Sequence, residues 1–288
     1  MSAALQWYPA PGKLNLFLHV LGRRADGYHE LQTVFRLIER ADRVGIAPRD
    51  DAELRRTGAL PGVPAEEDLC LRAARLLKEH ALARLGPAAR GLGADIALEK
   101  ILPVGGGLGG GSSDAATVLL VLNRLWGLNL ARAELLALAP RLGADVALFV
   151  FGENALGEGI GERLSRLALP PAWYLVLSPQ LSVSTREIFA DRALTRNSKP
   201  LKIPPFFSGQ GHNDLEPVVA RRYPEIAAQL EWLRAHGADA RLTGSGACVF
   251  AELSSESEAL ALSAQLPGAM RGFVTRGLER HPLRDWAA

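Results

Sequence analysis

The chain has 288 residues, 48% of them apolar and 22% charged, which is enough to bury the cores of about two domains. A net charge of +2, with arginines scattered along the chain, excludes the strongly basic balance of a nucleic-acid-binding protein. No apolar run is long enough to cross a bilayer, and the N-terminus lacks a signal-peptide pattern. The two cysteines show neither metal nor disulfide spacing, so we expect buried thiols in a cytoplasmic protein.

Apolar patterns predict the elements of the first half of the chain. Strands are expected at residues 14–21, 31–38, 43–47 and 94–98. Helices are expected at residues 65–85, 115–126 and 131–142, with Gly143 at the C-terminal end of the last one. The apolar run 146–151 predicts a further buried strand.

The pair Pro170-Pro171 predicts a boundary between a first domain, residues 1–168, and a second, residues 169–288. In the second domain we expect strands at 173–177, 241–243, 248–253 and 273–276, helices at 185–191, 217–223, 225–236 and 255–266, and an irregular loop at 195–210. Strands and helices interleave in both halves, so the predicted class is α+β, with a helix-backed sheet in each domain.

The most informative segment lies between the strand at 94–98 and the helix at 115–126. Six of the seven residues from Gly105 to Gly111 are glycine, and two serines follow. Bare backbone amides, hydroxyls and a helix N-terminus at about Asp114 together predict a phosphate-binding loop. A flexible linker is the alternative, but the apolar elements on both sides disfavour it.

Two familiar phosphate loops fit this segment less well. Gly105, Gly107 and Gly110 satisfy the dinucleotide-binding pattern, but the region about 20 residues further on is a predicted helix rather than a second strand. Ser112 stands where the P-loop requires a lysine. A protein-kinase loop would need further motifs that this sequence lacks.

Two charged residues stand at the ends of predicted buried strands. Lys13 precedes the strand at 14–21, and Asp145 precedes the apolar run 146–151. A charge at such a position must reach solvent or find a partner. A surface lysine and a turn-capping aspartate are the alternatives that these positions alone leave open.

Four segments together resemble the motifs of the GHMP small-molecule kinases: residues 11–15, 103–116, 143–146 and 242–248. The resemblance implies a two-domain fold in which each domain is a mainly antiparallel sheet backed by helices, with the active site in the cleft between them. It implies ATP with Mg²⁺ as cofactor. Asp145 would accept the proton of a substrate hydroxyl, while Lys13 would keep that carboxylate ionised and stabilise the alkoxide.

The resemblance also implies binding roles for other residues. ATP is expected to contact Lys100, near the adenine, and Pro103, Val104, Gly105, Gly106, Gly107, Leu108, Gly109, Gly110, Gly111, Ser112 and Ser113. Substrate is expected to contact Asn15, Tyr28, His29, Thr185, Phe189, Gly244 and Gly246. Ser112 is a candidate ligand of the metal, and the other protein ligands are left open.

The segment Arg-Ala-Asp-Gly-Tyr-His at residues 24–29 narrows the substrate class. It resembles the branch of the family that phosphorylates a hydroxyl of a CDP-linked methylerythritol in the non-mevalonate route to isoprenoid precursors. Tyr28 would then stack on the cytosine ring, and His29 would hydrogen-bond to its edge or to adjoining backbone. Asn15 would bind a hydroxyl of the polyol.

Two positions depart from the family pattern. Gly12 replaces a common alanine, and Asp68 stands where an asparagine often contacts adenine. Aspartate accepts hydrogen bonds but cannot donate them, so Asp68 could instead cap the helix.

Other functions remain as alternatives. They are a GHMP kinase for another small alcohol, such as a mevalonate- or homoserine-like substrate, a non-catalytic nucleotide- or RNA-binding domain of this fold, and a dinucleotide oxidoreductase. We expect no nucleic-acid or membrane partner, and a monomer or weak homodimer.

Overall fold

The computed structural model describes residues 4–58, 63–202 and 211–287, so residues 203–210 of the predicted loop at 195–210 lie outside it. The strands are β1 Gln6–Arg23, β2 His29–Arg49, β3 Leu54–Thr57, β4 Gly93–Glu99, β5 Ala155–Gly159, β6 Arg163–Arg166, β7 Trp173–Leu177, β8 Ala240–Leu242, β9 Val249–Leu253 and β10 Gly272–Arg276. The helices are α1 Leu69–Leu85, α2 Gly110–Leu125, α3 Arg132–Leu138, α4 Val146–Phe151, α5 Thr185–Ala190, α6 Glu216–Arg222, α7 Pro224–Ala235 and α8 Glu256–Ser263.

The strands form two sheets. In the first, the long strand β2 pairs antiparallel with β1, β4 and β5, while β3 joins β4 in parallel and β6 joins β5 antiparallel. The second has the order β10-β7-β9-β8 and is antiparallel throughout. Helices pack against each sheet, which confirms the predicted α+β class with two mainly antiparallel, helix-backed sheets.

Helix α2 is the central helix of the first core. Residues 113–123 are all buried, and the helix packs against α1, α4 and the first sheet. The sequence is apolar nearly all round in this stretch, so the prediction of a buried central helix is confirmed. The helix begins at Gly110, one turn before the predicted start, because loop contacts hold glycines that are poor helix formers on their own.

The run 146–151 was predicted as a strand, and that prediction is wrong because these residues form α4. Six consecutive apolar residues contain no polar position that would reveal a period of 2 or 3.6. All but the last of these side chains are buried, against α2 and α3. Asp145 therefore precedes a buried helix rather than a strand.

The other differences between the predicted and the observed secondary structure lie at the ends of elements and in short strands. The predicted strands 31–38 and 43–47 are parts of β2, and α1 begins at Leu69 rather than residue 65. Gly143 does not cap α3, which ends at Leu138 and continues as a 3₁₀ turn, Ala139–Arg141. Strands β3, β5 and β6 were not predicted, because they are only four or five residues long and rich in charged or glycine residues.

The segment after β10 returns to the first sheet. The backbone N–H of Leu278 donates to the carbonyl of Leu37 at 2.8 Å, and that of His281 donates to Gly152 at 2.9 Å. Leu283 and Ala287 are buried in the same core as α2. The domain boundary between residues 168 and 169 stays a prediction.

His281 is a buried titratable group in this returning segment. Its Nδ1 accepts a hydrogen bond from the backbone N–H of Leu283 at 3.0 Å, and the residue is 1% exposed. Burial lowers the pKa of His281 to about 3, and the nearby Arg132 guanidinium adds to the effect. The folded protein therefore holds this ring neutral at pH values where the unfolded chain protonates it.

We expect this histidine to make the protein less stable in mild acid. Between about pH 6.5 and pH 3 the unfolded state binds one more proton than the folded state, so the group costs roughly 2 kcal/mol of unfolding free energy by pH 5. Urea unfolding from pH 7.5 to 5 should show a shallower decline for His281→Asn than for wild type. The exposed His236→Asn is the control, and parallel curves for wild type and His281→Asn would contradict the assignment.

Candidate active site

Residues 103–109, hereafter the glycine loop, are held through their carbonyl groups by the turn between β8 and β9. The carbonyl oxygen of Gly105 accepts from the backbone N–H of Ala247 at 3.2 Å, and that of Gly106 accepts from Cys248 at 3.1 Å. The predicted glycine turn of the second domain therefore contacts the phosphate loop directly. Cys248 is a buried free thiol, as the sequence predicted.

The next two carbonyls of the loop are also occupied. The hydroxyl of Thr243 donates to the carbonyl oxygen of Gly107 at 3.4 Å, and the backbone N–H of Lys13 donates to that of Leu108 at 2.9 Å. Four consecutive carbonyl groups thus accept from β1 or from the turn after β8. These bonds hold the carbonyl side of the loop, and within the loop the backbone N–H of Gly106 also donates to the carbonyl oxygen of Pro103 at 3.3 Å.

The loop leads straight into the N-terminus of α2. Gly109 is the N-cap residue, in a left-handed conformation with φ of 70°, and it has no side chain to cap the helix. The first N–H groups of a helix lack acceptors within it, so they remain open to an anion. They border a cavity of about 490 Å³ whose lining includes every residue from Pro103 to Ser112.

Lys100 lines the same cavity, as predicted, but its ammonium group is tied to two carboxylates. It donates to Asp114 at 2.9 Å and forms a closer ion pair with the fully buried Asp42. Burial lowers the pKa of Lys100, but the charges of Asp114 and Asp42 outweigh this and leave it raised. The ammonium group stays charged beside the first turn of α2.

Asp68 lines the same cavity and is the N-cap of α1. Its carboxylate accepts from the backbone N–H of Cys70 at 2.8 Å and of Leu71 at 3.3 Å, and it pairs with Arg56 at 3.2 Å. Both carboxylate oxygens are engaged, so the capping alternative is the one that the structure supports.

The predicted catalytic pair meets at a second cavity. Lys13 Nζ lies 3.5 Å from Asp145 Oδ2, and the lysine side chain is 4% exposed whereas that of the aspartate is 33% exposed. Lys13 is held by β1 and Asp145 by the turn before α4, so residues 132 positions apart converge. This cavity, of about 350 Å³, shares Gly107, Gly109 and Ser112 with the nucleotide cavity.

A chain of hydrogen bonds positions the lysine. Lys13 Nζ donates to Asn15 Oδ1, and Asn15 Nδ2 donates to the hydroxyl of Thr33 at 2.9 Å. The backbone N–H of Asn15 donates to Thr243 Oγ1 at 3.0 Å. Asn15 therefore orients Lys13 in addition to lining the cavity, and a buried ammonium group keeps the partners that it requires.

A third cavity, of about 560 Å³, brings together the residues predicted to bind the base. Tyr28, His29, Thr185 and Phe189 all line it, and the His29 and Phe189 rings lie 4.9 Å apart. Tyr28 is 61% exposed, so its ring is accessible at this cavity. Thr185 and Phe189 also line the cavity of the catalytic pair, so the three cavities form one continuous cleft.

Two predicted contact residues lie away from this cleft. Ser113 is fully buried within α2, and its hydroxyl has no hydrogen-bond partner in the described residues. Gly244 lines the catalytic cavity, but Gly246 does not, and a side chain there would meet the apolar Leu242, Val183 and Val219. The glycine at 246 therefore serves packing of the turn rather than substrate contact.

Sequence reasoning missed several residues of the site. They are Asp42, Thr33, Thr243, Ser245 and Arg196. Each acts through a partner at least 18 positions away, and none stands in a glycine motif except Thr243 and Ser245, which flank Gly244. Those two could have been found from the motif at 242–248.

Comparison with known proteins identifies the family. The model of the GHMP kinases N terminal domain matches residues 68–153, and that of the GHMP kinases C terminal region matches residues 205–272. A 4-diphosphocytidyl-2-C-methyl-D-erythritol kinase of Nitrosospira multiformis is 59% identical, covering 97% of this chain and 93% of its own length. The enzyme of the same name from Thiobacillus denitrificans is 58% identical and covers 98% of each chain.

Comparison with solved structures points to the same family. A crystal structure of 4-(cytidine 5'-diphospho)-2C-methyl-D-erythritol kinase is 36% identical, covers 95% of this chain and 100% of its own, and superposes with a TM-score of 0.78. A homoserine kinase from Cytophaga hutchinsonii, 18% identical with a TM-score of 0.69 over 96% of this chain and 95% of its own, shares the fold.

The two sheets, the cleft between them and the phosphate loop at the cleft thus define a small-molecule kinase. The chain belongs to the GHMP kinase family, and the predicted two-domain fold of that family is confirmed. GHMP kinases use ATP, which matches a cavity lined by loop amides. Within the described residues, no helix combines the length and apolarity needed to span a membrane.

Gly107 is the loop position least able to carry a side chain. Its φ is 76°, and a Cβ there would lie 2.3 Å from the carbonyl oxygen of Thr243 and 2.9 Å from that of Gly246. We expect Gly107→Ala to separate the loop from the turn and to weaken ATP binding at least tenfold, since even 1.4 kcal/mol of misfit produces that change.

The matched control is Gly237→Ala. Gly237 has φ of 77°, and a Cβ there meets no described atom within 4 Å, so only the left-handed backbone cost of about 1–2 kcal/mol applies. ATP-analogue titration by calorimetry measures both variants against wild type. Equal ATP affinity in the two variants would show that the loop–turn contact does not govern nucleotide binding.

Proposed function

We propose that this kinase transfers the γ-phosphate of ATP to a hydroxyl of 4-diphosphocytidyl-2-C-methyl-D-erythritol. The observation that carries the proposal is the Lys13–Asp145 pair, 3.5 Å apart, between a cavity lined by loop amides and a cavity lined by aromatic rings. Relatives of that name at 59% and 58% identity over nearly the whole chain support the substrate. The role in isoprenoid-precursor synthesis follows from that substrate.

The proposed chemistry is a direct transfer. The substrate hydroxyl lies between Asp145 and the γ-phosphate, and its proton passes to the Asp145 carboxylate as its oxygen bonds to phosphorus. The bond from phosphorus to the bridging oxygen breaks, and ADP leaves. Lys13 carries positive charge beside the forming alkoxide and lies 3.5 Å from the Asp145 carboxylate that accepts the proton.

The ATP phosphates would be held by the N–H groups of the glycine loop and the first turn of α2, with the adenine toward Lys100 and Asp68. Mg²⁺ supplies charge neutralisation on the phosphates when it is bound with ATP. Ser112 offers a hard oxygen ligand at the junction of the two cavities. The described residues contain no cluster of three or more His, Cys, Asp or Glu suited to a metal, which fits an ion held mainly by phosphate and water.

The third cavity would hold the cytidine part of the substrate. The exposed ring of Tyr28 offers a stacking face, and the rings of His29 and Phe189, 4.9 Å apart, line the same cavity. Asn15, Thr185 and Gly244 line the cavity between base and phosphate, where the polyol would lie.

We expect the working unit to be a monomer or a weak homodimer. The two buried free cysteines support a reducing, cytoplasmic environment. The net charge of only +2, with arginines scattered along the sequence, supports the proposal that nucleic acid is not a partner.

A coupled assay of ADP release tests the substrate directly. We expect turnover with 4-diphosphocytidyl-2-C-methyl-D-erythritol and none above background with mevalonate or homoserine. The reverse preference would reject the substrate assignment while leaving the kinase fold and the ATP site intact.

Asp145→Asn should lower kcat about 10²–10⁴-fold, because an amide cannot accept the hydroxyl proton. ATP affinity, measured by calorimetry with a non-hydrolysable analogue, should stay within about twofold, since Asp145 lies outside the lining of the nucleotide cavity. Asp50→Asn, an exposed aspartate near the far end of β2, is the control and should keep full activity. A near-wild-type rate for Asp145→Asn would remove this residue from the mechanism.

A further inference from the structure

Arg196 contacts the wall of the base cavity without lining the cavity itself. Its Nε–H donates to Nε2 of His29 at 3.1 Å. Its terminal nitrogens donate to the carbonyl oxygens of Leu194 at 3.1 Å, and of Phe189 and Asp191 at 2.8 Å each. Four hydrogen bonds fix the guanidinium, which thereby contacts the His29 ring and the backbone of Phe189.

The direction of the contact determines where the histidine carries its proton. An arginine nitrogen can only donate, so Nε2 of His29 must accept. A neutral imidazole has one donor and one acceptor, so the proton of His29 must sit on Nδ1. Within the described residues, Nδ1 makes no hydrogen bond of its own, so this N–H is available to a ligand.

We propose that Arg196 is a positioning residue for base specificity, which fixes His29 in the Nδ1–H tautomer so that the cavity offers a hydrogen-bond donor to the base. The inference rests on the proposed function, in which this cavity holds a cytosine. Cytosine presents the unprotonated N3 as an acceptor on its pairing edge, whereas uracil presents an N–H there. A fixed N–H donor on His29 can hydrogen-bond to N3 of cytosine but would face another N–H in uracil. A polar site gains its selectivity from such a mismatch.

The charges around His29 favour the neutral ring. Burial lowers the pKa of His29, and the positive charges of Arg196 and Arg23 lower it further. The charged residues near the ring are Arg23 on β1, Asp26 before β2, Glu30 on β2, Arg186 on α5 and Arg196. Protonation would place a second N–H against the N–H of Arg196, so the ring should stay neutral in the wild type across the physiological range.

Arg196→Met should make cytidine binding depend on pH in a way that wild-type binding does not. Without the arginine, the neutral ring can carry its proton on Nε2, which turns Nδ1 into an acceptor that repels cytosine N3. As the pH falls, both ring nitrogens become protonated and the donor returns. Burial and Arg23 still lower the pKa of His29 in the variant, so this recovery begins below the ordinary histidine range. Cytidine binding by the variant should therefore be weaker at about pH 8 and begin to recover at about pH 5.5, whereas the wild type should show no such change.

The experiment measures dissociation constants of cytidine and uridine by calorimetry at these two pH values, because neither nucleoside changes charge between them. At about pH 8, Arg196→Met should bind cytidine roughly 3- to 10-fold more weakly than wild type and lose most of its preference over uridine. Arg196→Lys, which keeps a donor, should retain much of that preference. Arg192→Met, an exposed arginine on the same segment, is the matched control.

A spectroscopic measurement on the wild type avoids any dependence on folding of the variants. In protein labelled with ¹⁵N-histidine, and with His29 assigned from the spectrum of His29→Gln, the imidazole shifts should report the Nδ1–H tautomer. An Nε2–H tautomer would overturn the inference.

The binding data distinguish a failure of the proposed role of Arg196 from a failure of the proposed substrate. Equal weakening of Arg196→Met at both pH values, or unchanged preference, would overturn the role of Arg196 while leaving cytidine as the substrate's base. A wild type that does not prefer cytidine over uridine would overturn both this inference and the proposed substrate.

Discussion

The active site depends on which backbone groups of the glycine loop form hydrogen bonds within the protein. An amide can bind phosphate only if it is not needed inside the protein, yet a loop without side chains has nothing except its backbone to hold it. Here the carbonyl oxygens from Gly105 to Leu108 accept hydrogen bonds from β1 and from the turn after β8. The carbonyl side secures the loop, and we propose that the remaining amides bind the nucleotide. On that proposal, phosphate binding and contact with the turn after β8 use different groups of the same backbone segment.

This arrangement couples the loop to the chemistry. The lysine that donates its backbone N–H to Leu108 is Lys13, whose side chain meets Asp145. The threonine that bonds to Gly107 also receives the backbone N–H of Asn15, which in turn accepts from Lys13. A displacement of the loop would move the lysine with it. A buried ammonium group without partners would be costly, and this network supplies those partners and sets the geometry for transfer.

Local sequence patterns account for much of this site. Gly105 to Gly111 predicted the phosphate loop, whereas the positions of Lys13 and Asp145 beside apolar runs left a surface lysine and a turn-capping aspartate open until the other motifs were considered. The prediction failed where a segment gave no periodic signal, as at 146–151, where the choice between strand and helix was made by packing against α2 and α3. It also failed at edge strands such as β6, whose sequence Arg-Leu-Ser-Arg resembles a loop.

The residues that sequence could not supply share a physical cause. Asp42, Thr33 and Arg196 line neither the expected phosphate cavity nor the expected base cavity, and each bonds to a residue that lines one of the three cavities. Each contacts a partner that is distant in the sequence, 18 positions away for Thr33 and 167 for Arg196, so no local pattern reveals its role. A motif records which residue types the chemistry needs, whereas the protonation state and direction of those side chains are set by such distant partners. For His29, the difference between a donor and an acceptor at Nδ1, and thus between two pyrimidines, depends on one arginine that no local pattern connects to it.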